Sequence, residues 1–196
     1  MKQTNNSMFN EFTSRMREWL AGYEFRRLEK AEFKPAAVAV LFLNKADEPH
    51  VLLTKRTQRV STHKGQVSFP GGSVDQSDSS PNATALRETF EETGVEPANI
   101  RILGRFDDYI TKSGYHVACI VGEILQQQEY SVSTGEVERC IEVPVSMFAD
   151  KVYASLEEDL IQGQMSPVYH YIFDGEDIWG LTAQVLTDMF DKFKGQ

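Results

Sequence analysis

The sequence predicts an α+β domain in which helices pack on a mixed set of strands. Three observations carry this. The chain has 196 residues of which 41% are hydrophobic, enough for one sizeable core. Short apolar runs rich in β-branched and aromatic residues recur along it, most of them joined by turn-forming residues. Segments of helical period stand near both ends and once in the middle. Such a mixture suits helices laid against a sheet.

Taken in order, "SMFNEFTSRMREWLAGYEF" puts Met8, Phe9, Phe12, Met16, Trp19 and Leu20 on one face of an amphipathic helix. "AAVAVLFLN" (36–44) and "HVLLTKR" (50–56) form a strand hairpin around the turn formers of "KADEPH". A polar, Gly-containing loop (57–72) leads into a short "QVSFP". A Ser/Asp loop (73–81) follows, and then a helix near 82–93. "IRILGRFDDYI" and "YHVACIVGEIL" are two further strands joined at "TKSG". "CIEVPVSMFA" reads as a strand followed by a short helix, "PVYHYIF" and "EDIWGL" as a last strand pair, and "TAQVLTDMFDKF" as a closing amphipathic helix. The domain assignment is a helix and lead-in over 1–34, one main domain over 35–190 and a tail over 191–196.

Twenty Lys and Arg against 29 Asp and Glu give a net charge of −9, which argues against nucleic acid or an anionic membrane as partner. A local basic pocket for a small anionic substrate is compatible with it. Cys119 and Cys140 sit in apolar runs without metal-ligand spacing and read as buried thiols. The N-terminal residues lack the apolar centre of a signal peptide and no run of about 18 apolar residues occurs, so a cytoplasmic protein is expected. A homodimer through the N-terminal helix or a strand edge is compatible with the sequence.

The helix at 82–93 carries the chemistry. At 100° per residue Ala83, Leu86 and Phe90 share a core face while Glu88, Glu91 and Glu92 cluster opposite. Asn82 is placed to cap the start and Gly94 the end. Glu91 and Glu92 stand where the macrodipole disfavours negative charge, and like charges at helical spacing repel. Two readings follow: a solvated face with Arg87 paired to Glu91, or a face holding a cation. Carboxylates are hard oxygen donors suited to Mg²⁺ or Mn²⁺, and the preceding Gly71–Gly72 allows backbone to approach a phosphate closely.

With "RETFEETGV" (87–95) the chain resembles the Nudix hydrolases, whose box ends in Arg-Glu-hydrophobic-any-Glu-Glu-any-Gly-hydrophobic. Two positions depart from the pattern. Thr89 stands at a usually hydrophobic position, and the acidic position falls on Asp78, with eight residues instead of seven between it and Arg87. "LLTKRTQRVSTHKGQVSFPGG" (52–72) is similar to the coenzyme A pyrophosphatase branch, as are "TKSGYHV", "EVE…EVPV" and "IWGLTA", so that the likeness spans about 36–190. Ser61 stands where many members carry an Arg, with Arg59 and His63 close by to serve in its place.

The resemblance implies an α/β/α sandwich, a central mixed β-sheet flanked by helices. It implies Glu88, Glu92 and Glu91 as ligands of Mg²⁺ or Mn²⁺, with the Gly72 carbonyl as a further ligand. Glu91 or Glu136 is the expected base, with Glu138 in reserve, and Arg87 orients the carboxylates. Lys55, Arg56, Arg59, His63 and Lys64, with Gly71, are candidates for the substrate phosphates, although about half of these charges belong to a solvated loop on the simpler reading. The implied activity is cleavage of coenzyme A to 4′-phosphopantetheine and 3′,5′-ADP. The alternatives are a pyrophosphatase for ADP-ribose, nucleotide sugars or dinucleotides, and a catalytically silent nucleotide-binding domain. Outside this set, His116 reads as a packing residue. Trp179 reads as an anchor of the last helix or as the wall of an adenine or pantetheine pocket. Tyr109 is left open as a possible lining residue.

Overall fold

The computed structural model describes residues 7–28, 32–58, 64–133, 135–161 and 164–195. A first helix, α1 (Met8–Gly22), precedes strands β1 (Lys34–Lys45) and β2 (Glu48–Arg56). Two short strands, β3 (Val67–Ser68) and β4 (Gly71–Ser73), lead to helix α2 (Pro81–Thr93). A single 3-10 turn (Pro97–Asn99) opens β5 (Ile100–Ile110), followed by β6 (Tyr115–Ile124), β7 (Val137–Pro144) and the short helix α3 (Val145–Ala149). The chain closes with β8 (Ser155–Ile161), β9 (Gln164–Phe173), β10 (Glu176–Ile178) and helix α4 (Gly180–Lys194).

Among the described residues the main sheet has seven strands. β2 lies antiparallel to β1 and β7, and β6 runs parallel to β1 and antiparallel to β5. The hairpin between β1 and β2 turns through Ala46 and Asp47, both at positive φ (53° and 68°), as a two-residue turn that follows the strand twist requires. Asp47 also accepts hydrogen bonds from the Met8 and Phe9 amides, so the hairpin tip satisfies the start of α1. A second, three-stranded antiparallel sheet in the order β10-β9-β8 lies beside it.

Both faces of the main sheet are covered, which explains why β1 reads as an almost unbroken apolar run. Val40 and Phe42 point to a core closed by Met16 and Leu20 of α1 and by Val185, Leu186, Met189 and Phe190 of α4. Ala37, Ala39, Leu41 and Leu43 point to a second core with Ala85 of α2, Val95 and Ile120. The result is the helix–sheet–helix sandwich. Cys119 is buried and Cys140 half-buried, and neither is bridged.

Several expectations are corrected. The box helix begins at Pro81, and Ser80 caps it, accepting from the Ala83 amide, so Asn82 lies inside the first turn. Phe90 is 44% exposed instead of buried. Trp179 is 41% exposed and stands at the start of α4. β8 was not expected, because its acidic letters hide a strand whose partner is β9. Among the described residues no helix is long and apolar enough to cross a membrane.

Candidate active site

β1 and β2 pair only near their shared turn, and the gap that opens beyond it is filled by the chain from 67 to 73. β3 pairs with Thr54 and Lys55 of β2, and β4 pairs with Ala36–Val38 of β1. The Pro70 carbonyl between them accepts from the Ala39 amide at 2.9 Å. Gly71 has φ 155°, and a Cβ there would stand 2.5 Å from the Ala37 carbonyl oxygen and 2.7 Å from the Val38 Cα. A Cβ on Gly72 would stand 2.5 Å from the Glu88 carboxyl carbon. Glycine is therefore required at 71 by close approach to backbone, whereas at 72 a side chain would displace the box carboxylate of Glu88.

Helix α2 packs through Thr84, Ala85, Thr89, Glu92 and Thr93. This face is turned from the expected one: Glu92 lies inward, 4% exposed, and Phe90 outward. Buried threonines are tolerated because their hydroxyls are satisfied on the helix, Thr89 donating to the Ala85 carbonyl at 2.7 Å and Thr93 to Thr89 at 2.6 Å. Arg87 is the hub of the outer face. Its guanidinium donates to both oxygens of Asp78 (3.0 and 2.9 Å), to Glu88 (2.9 Å), to Glu91 (3.0 Å) and to the Ser73 carbonyl (3.2 Å). Asp78 also accepts from Thr84, and the Arg87 fork, first among its partners, holds its carboxyl well below the usual range.

Glu88, Glu91 and Glu92 border a cavity of about 550 Å³ whose other walls include Gly71, Gly72, Arg56, Tyr115 and Glu136. Glu92 accepts from the Gly71 amide and from Arg56, each at 3.4 Å, and Arg56 reaches Glu136 at 3.7 Å. Burial pushes the Glu92 carboxyl up to about 8 against the pull of Arg56, with the charges of Glu88 and Glu136 adding to the rise. Burial also raises Glu88, opposed by its bond to Arg87. A larger space of about 830 Å³ lies elsewhere, around Asn44, Arg101, Glu123 and Gln128, and its buried Glu123 is already neutralised by Arg101 at 2.5 Å. In the glutamate-lined cavity four carboxylates, Glu88, Glu91, Glu92 and Glu136, share the wall with a single basic side chain among the described residues, Arg56.

A model of the NUDIX domain matches residues 33–159. The chain belongs to the Nudix family. It is 37% identical over 139 residues to Nudix hydrolase NudL of Pectobacterium atrosepticum, itself described as uncharacterized, covering 70% of this chain and 72% of that one. Nudix hydrolase 15, mitochondrial, of Arabidopsis thaliana is 31% identical over 163 residues, 79% of this chain; the chain spans 57% of the plant protein's length. Among solved structures, the MutT protein of Methanosarcina mazei Go1 superposes with a TM-score of 0.53 at 20% identity, over 86% of this chain and 97% of that one, a likeness of fold.

The structure brings part of the expected Nudix site together. Glu88, Glu91, Glu92, Gly71, Gly72, Arg56 and Glu136 all border one cavity, and Arg87 supports it from behind. Glu138 does not border it and faces Lys55 at 3.8 Å. Lys55 alternates with Arg56 on β2 and so points the other way, held by Glu176 at 2.6 Å. Lys64 is exposed and does not border the cavity. Arg59, Ser61 and His63 lie outside the described residues. Tyr109 is buried against Asp188 at 2.9 Å, away from the cavity. His116 pairs with the buried Asp108 at 2.8 Å. Thr111, Ser113 and Ser133 complete the rim, and of these only the stretch "TKSGY" gave a signal in the sequence.

The donor set fits a hard divalent cation: oxygen ligands, partly desolvated, with no sulfur or imidazole facing them among the described residues. Among the described residues no three His, Cys, Asp or Glu side chains stand close enough to enclose an ion as they are. Arg56 and Arg87 lie against Glu92 and Glu88 and supply the opposing positive charge.

Proposed function

We propose that this Nudix chain is a metal-dependent diphosphatase that cleaves the pyrophosphate linkage of coenzyme A or its derivatives, releasing 4′-phosphopantetheine, or its acyl form, and 3′,5′-ADP. The observation that carries the hydrolytic reading is the convergence of Glu88, Glu91, Glu92 and Glu136 on a cavity walled by the Gly71–Gly72 backbone. The coenzyme A reading rests on the run "LLTKR…FPGG" and its likeness to that branch.

Glu88, Glu92 and Glu91, with the Gly72 carbonyl, would hold Mg²⁺ or Mn²⁺. Bound there, the ion supplies neutralisation of the diphosphate oxygens and acidifies the attacking water. The remaining work belongs to the chain. Arg87, pinned by Asp78, keeps Glu88 and Glu91 aimed at the cavity. Arg56 places a positive charge beside Glu92, within reach of substrate phosphate. Water adds to one phosphorus, the bridging P–O bond breaks, and the departing phosphate carries off the bond's electron pair. Glu136, exposed at the cavity mouth, takes the water's proton at its carboxylate oxygen; Glu91 is the second candidate for that task.

Cleavage of ADP-ribose, nucleotide sugars or dinucleotides is the alternative, because the same cavity serves any phosphoanhydride. The two readings part at the 3′-phosphate. Initial rates on coenzyme A, dephospho-coenzyme A and ADP-ribose with Mg²⁺ or Mn²⁺ separate them, with coenzyme A expected to lead. Replacing Arg59 and Lys64 by Gln is expected to weaken coenzyme A more than dephospho-coenzyme A. Equal losses would remove both residues from 3′-phosphate recognition.

A further inference from the structure

A second, smaller cleft of about 120 Å³ adjoins the glutamate-lined cavity, and the two share Val38, Ser68 and Phe69 as walls. Its outer wall is Trp179, large, apolar and 41% exposed, where a core anchor would be covered. The indole is held from outside the cleft. His170 lies parallel to it, with an 8° angle between the rings and centroids 5.9 Å apart, and Asp177 fixes that imidazole at 2.9 Å. The cleft is also tied to the 67–73 segment that fills the gap between β1 and β2. Thr182, in the first turn of α4, donates to the Val67 carbonyl, and Val67 begins the short segment that ends at Gly71.

We infer that this cleft is the subsite for the planar heteroaromatic base of the substrate's nucleotide half, with the Trp179 indole as its stacking surface. The inference rests on the diphosphatase reading for the origin of its ligand, but not for its test. A flat aromatic wall held in place by a parallel partner favours another flat ring, since stacking needs a fixed plane and little sequence of hydrogen-bond donors. An aliphatic arm would draw equally on any apolar side chain. The volume accommodates one ring system, with the attached ribose and phosphates leading past Phe69 toward Gly71 and Gly72.

Trp19 and Trp179 are the two tryptophans, and Trp19 packs among Tyr23, Phe106 and Phe193, against the last turn of α4, whereas Trp179 stands at that helix's start. Trp19→Phe therefore leaves emission that reports on Trp179. In that background ADP is expected to quench the emission and ribose 5-phosphate to leave it unchanged. Trp179→Ala is expected to weaken ADP binding about 5- to 150-fold, the range of one lost base–aromatic stack, and to raise KM more than it lowers kcat. Trp179→Phe should keep most of the affinity and Trp179→Leu should not. Absence of quenching by ADP, or wild-type ADP affinity in the Leu variant, overturns the assignment. If no diphosphate is hydrolysed yet ADP quenches Trp179, the diphosphatase reading fails and the subsite stands. If coenzyme A is hydrolysed equally well by the Ala variant, the reverse holds.

Discussion

Glu92 does two things that oppose each other: it is buried at 4% exposure and it faces other carboxylates. Its folded pKa of about 8 lies above the ordinary 4.5, so between those values the folded protein holds a proton that the unfolded chain has lost. The stability contributed by that proton is full below about 4.5 and is lost as pH rises through about 8, in the absence of divalent metal. Metal binding must expel the same proton, so apparent Mn²⁺ affinity is expected to rise with pH up to about 8, with proton release measurable in calorimetry at pH 7 in buffers of different ionisation enthalpy. A flat profile would show that Glu92 is no ligand. Asp78 is the second residue on which the account depends, since it grips Arg87 through both oxygens. Asp78→Asn is expected to lower metal affinity or activity about 10- to 100-fold, as other supporting contacts of metal ligands do, with little change in melting and partial rescue by Asp78→Glu. The one-residue shift in spacing hid this role in the sequence. The extra residue is accommodated in a loop that closes on itself, with the Asp75 amide donating to Asp78 and the Asp78 amide to the Asp75 carbonyl.

Among the elements, helix α2 was legible in its position but not in its orientation. Reading Thr as polar places Thr84, Thr89 and Thr93 outside, whereas their satisfied hydroxyls let them pack inside and turn Phe90 out. Pattern reading counts letters, and here the hydrogen bonds of three threonine hydroxyls, Thr84 to Asp78, Thr89 to Ala85 and Thr93 to Thr89, decide the face. Strand β8 was missed for a related reason: "SLEEDLI" pairs along its whole length with β9 but has little to bury. The wedge of β3 and β4 was visible only as a double glycine, because its pairing with two different strands is a long-range property. That wedge gives a sharp test. Gly72→Ala places a methyl group against the Glu88 carboxylate, so activity and metal affinity should fall while circular dichroism stays that of the wild type. Wild-type activity in this variant would show that Glu88 does not need its place against the wedge.

At the scale of the molecule, the sandwich was readable because β1 and β6 are apolar on both faces and amphipathic segments exist to cover each. Less legible was how the ends of the chain are fastened. α1 and α4 share one face, and the chain after α1 is fixed by adjacent Asp107 and Asp108, which accept from the Arg26 and Leu28 amides; Asp107 also pairs with Lys192 of α4. Met16, wholly buried in that layer, is expected to lose about 2–5 kcal/mol of folding stability on change to Ala, measured by urea unfolding, with the site on the opposite face left intact. The central claim is that the glutamate-lined cavity hydrolyses coenzyme A at its diphosphate. Its most direct test is product analysis by chromatography and mass of coenzyme A incubated with Mn²⁺ and either the wild type or Glu92→Gln. The account predicts equal amounts of 3′,5′-ADP and 4′-phosphopantetheine from the wild type and a rate several orders of magnitude lower from the folded variant. Intact coenzyme A with the wild type, or the same products at a comparable rate from Glu92→Gln, would contradict it.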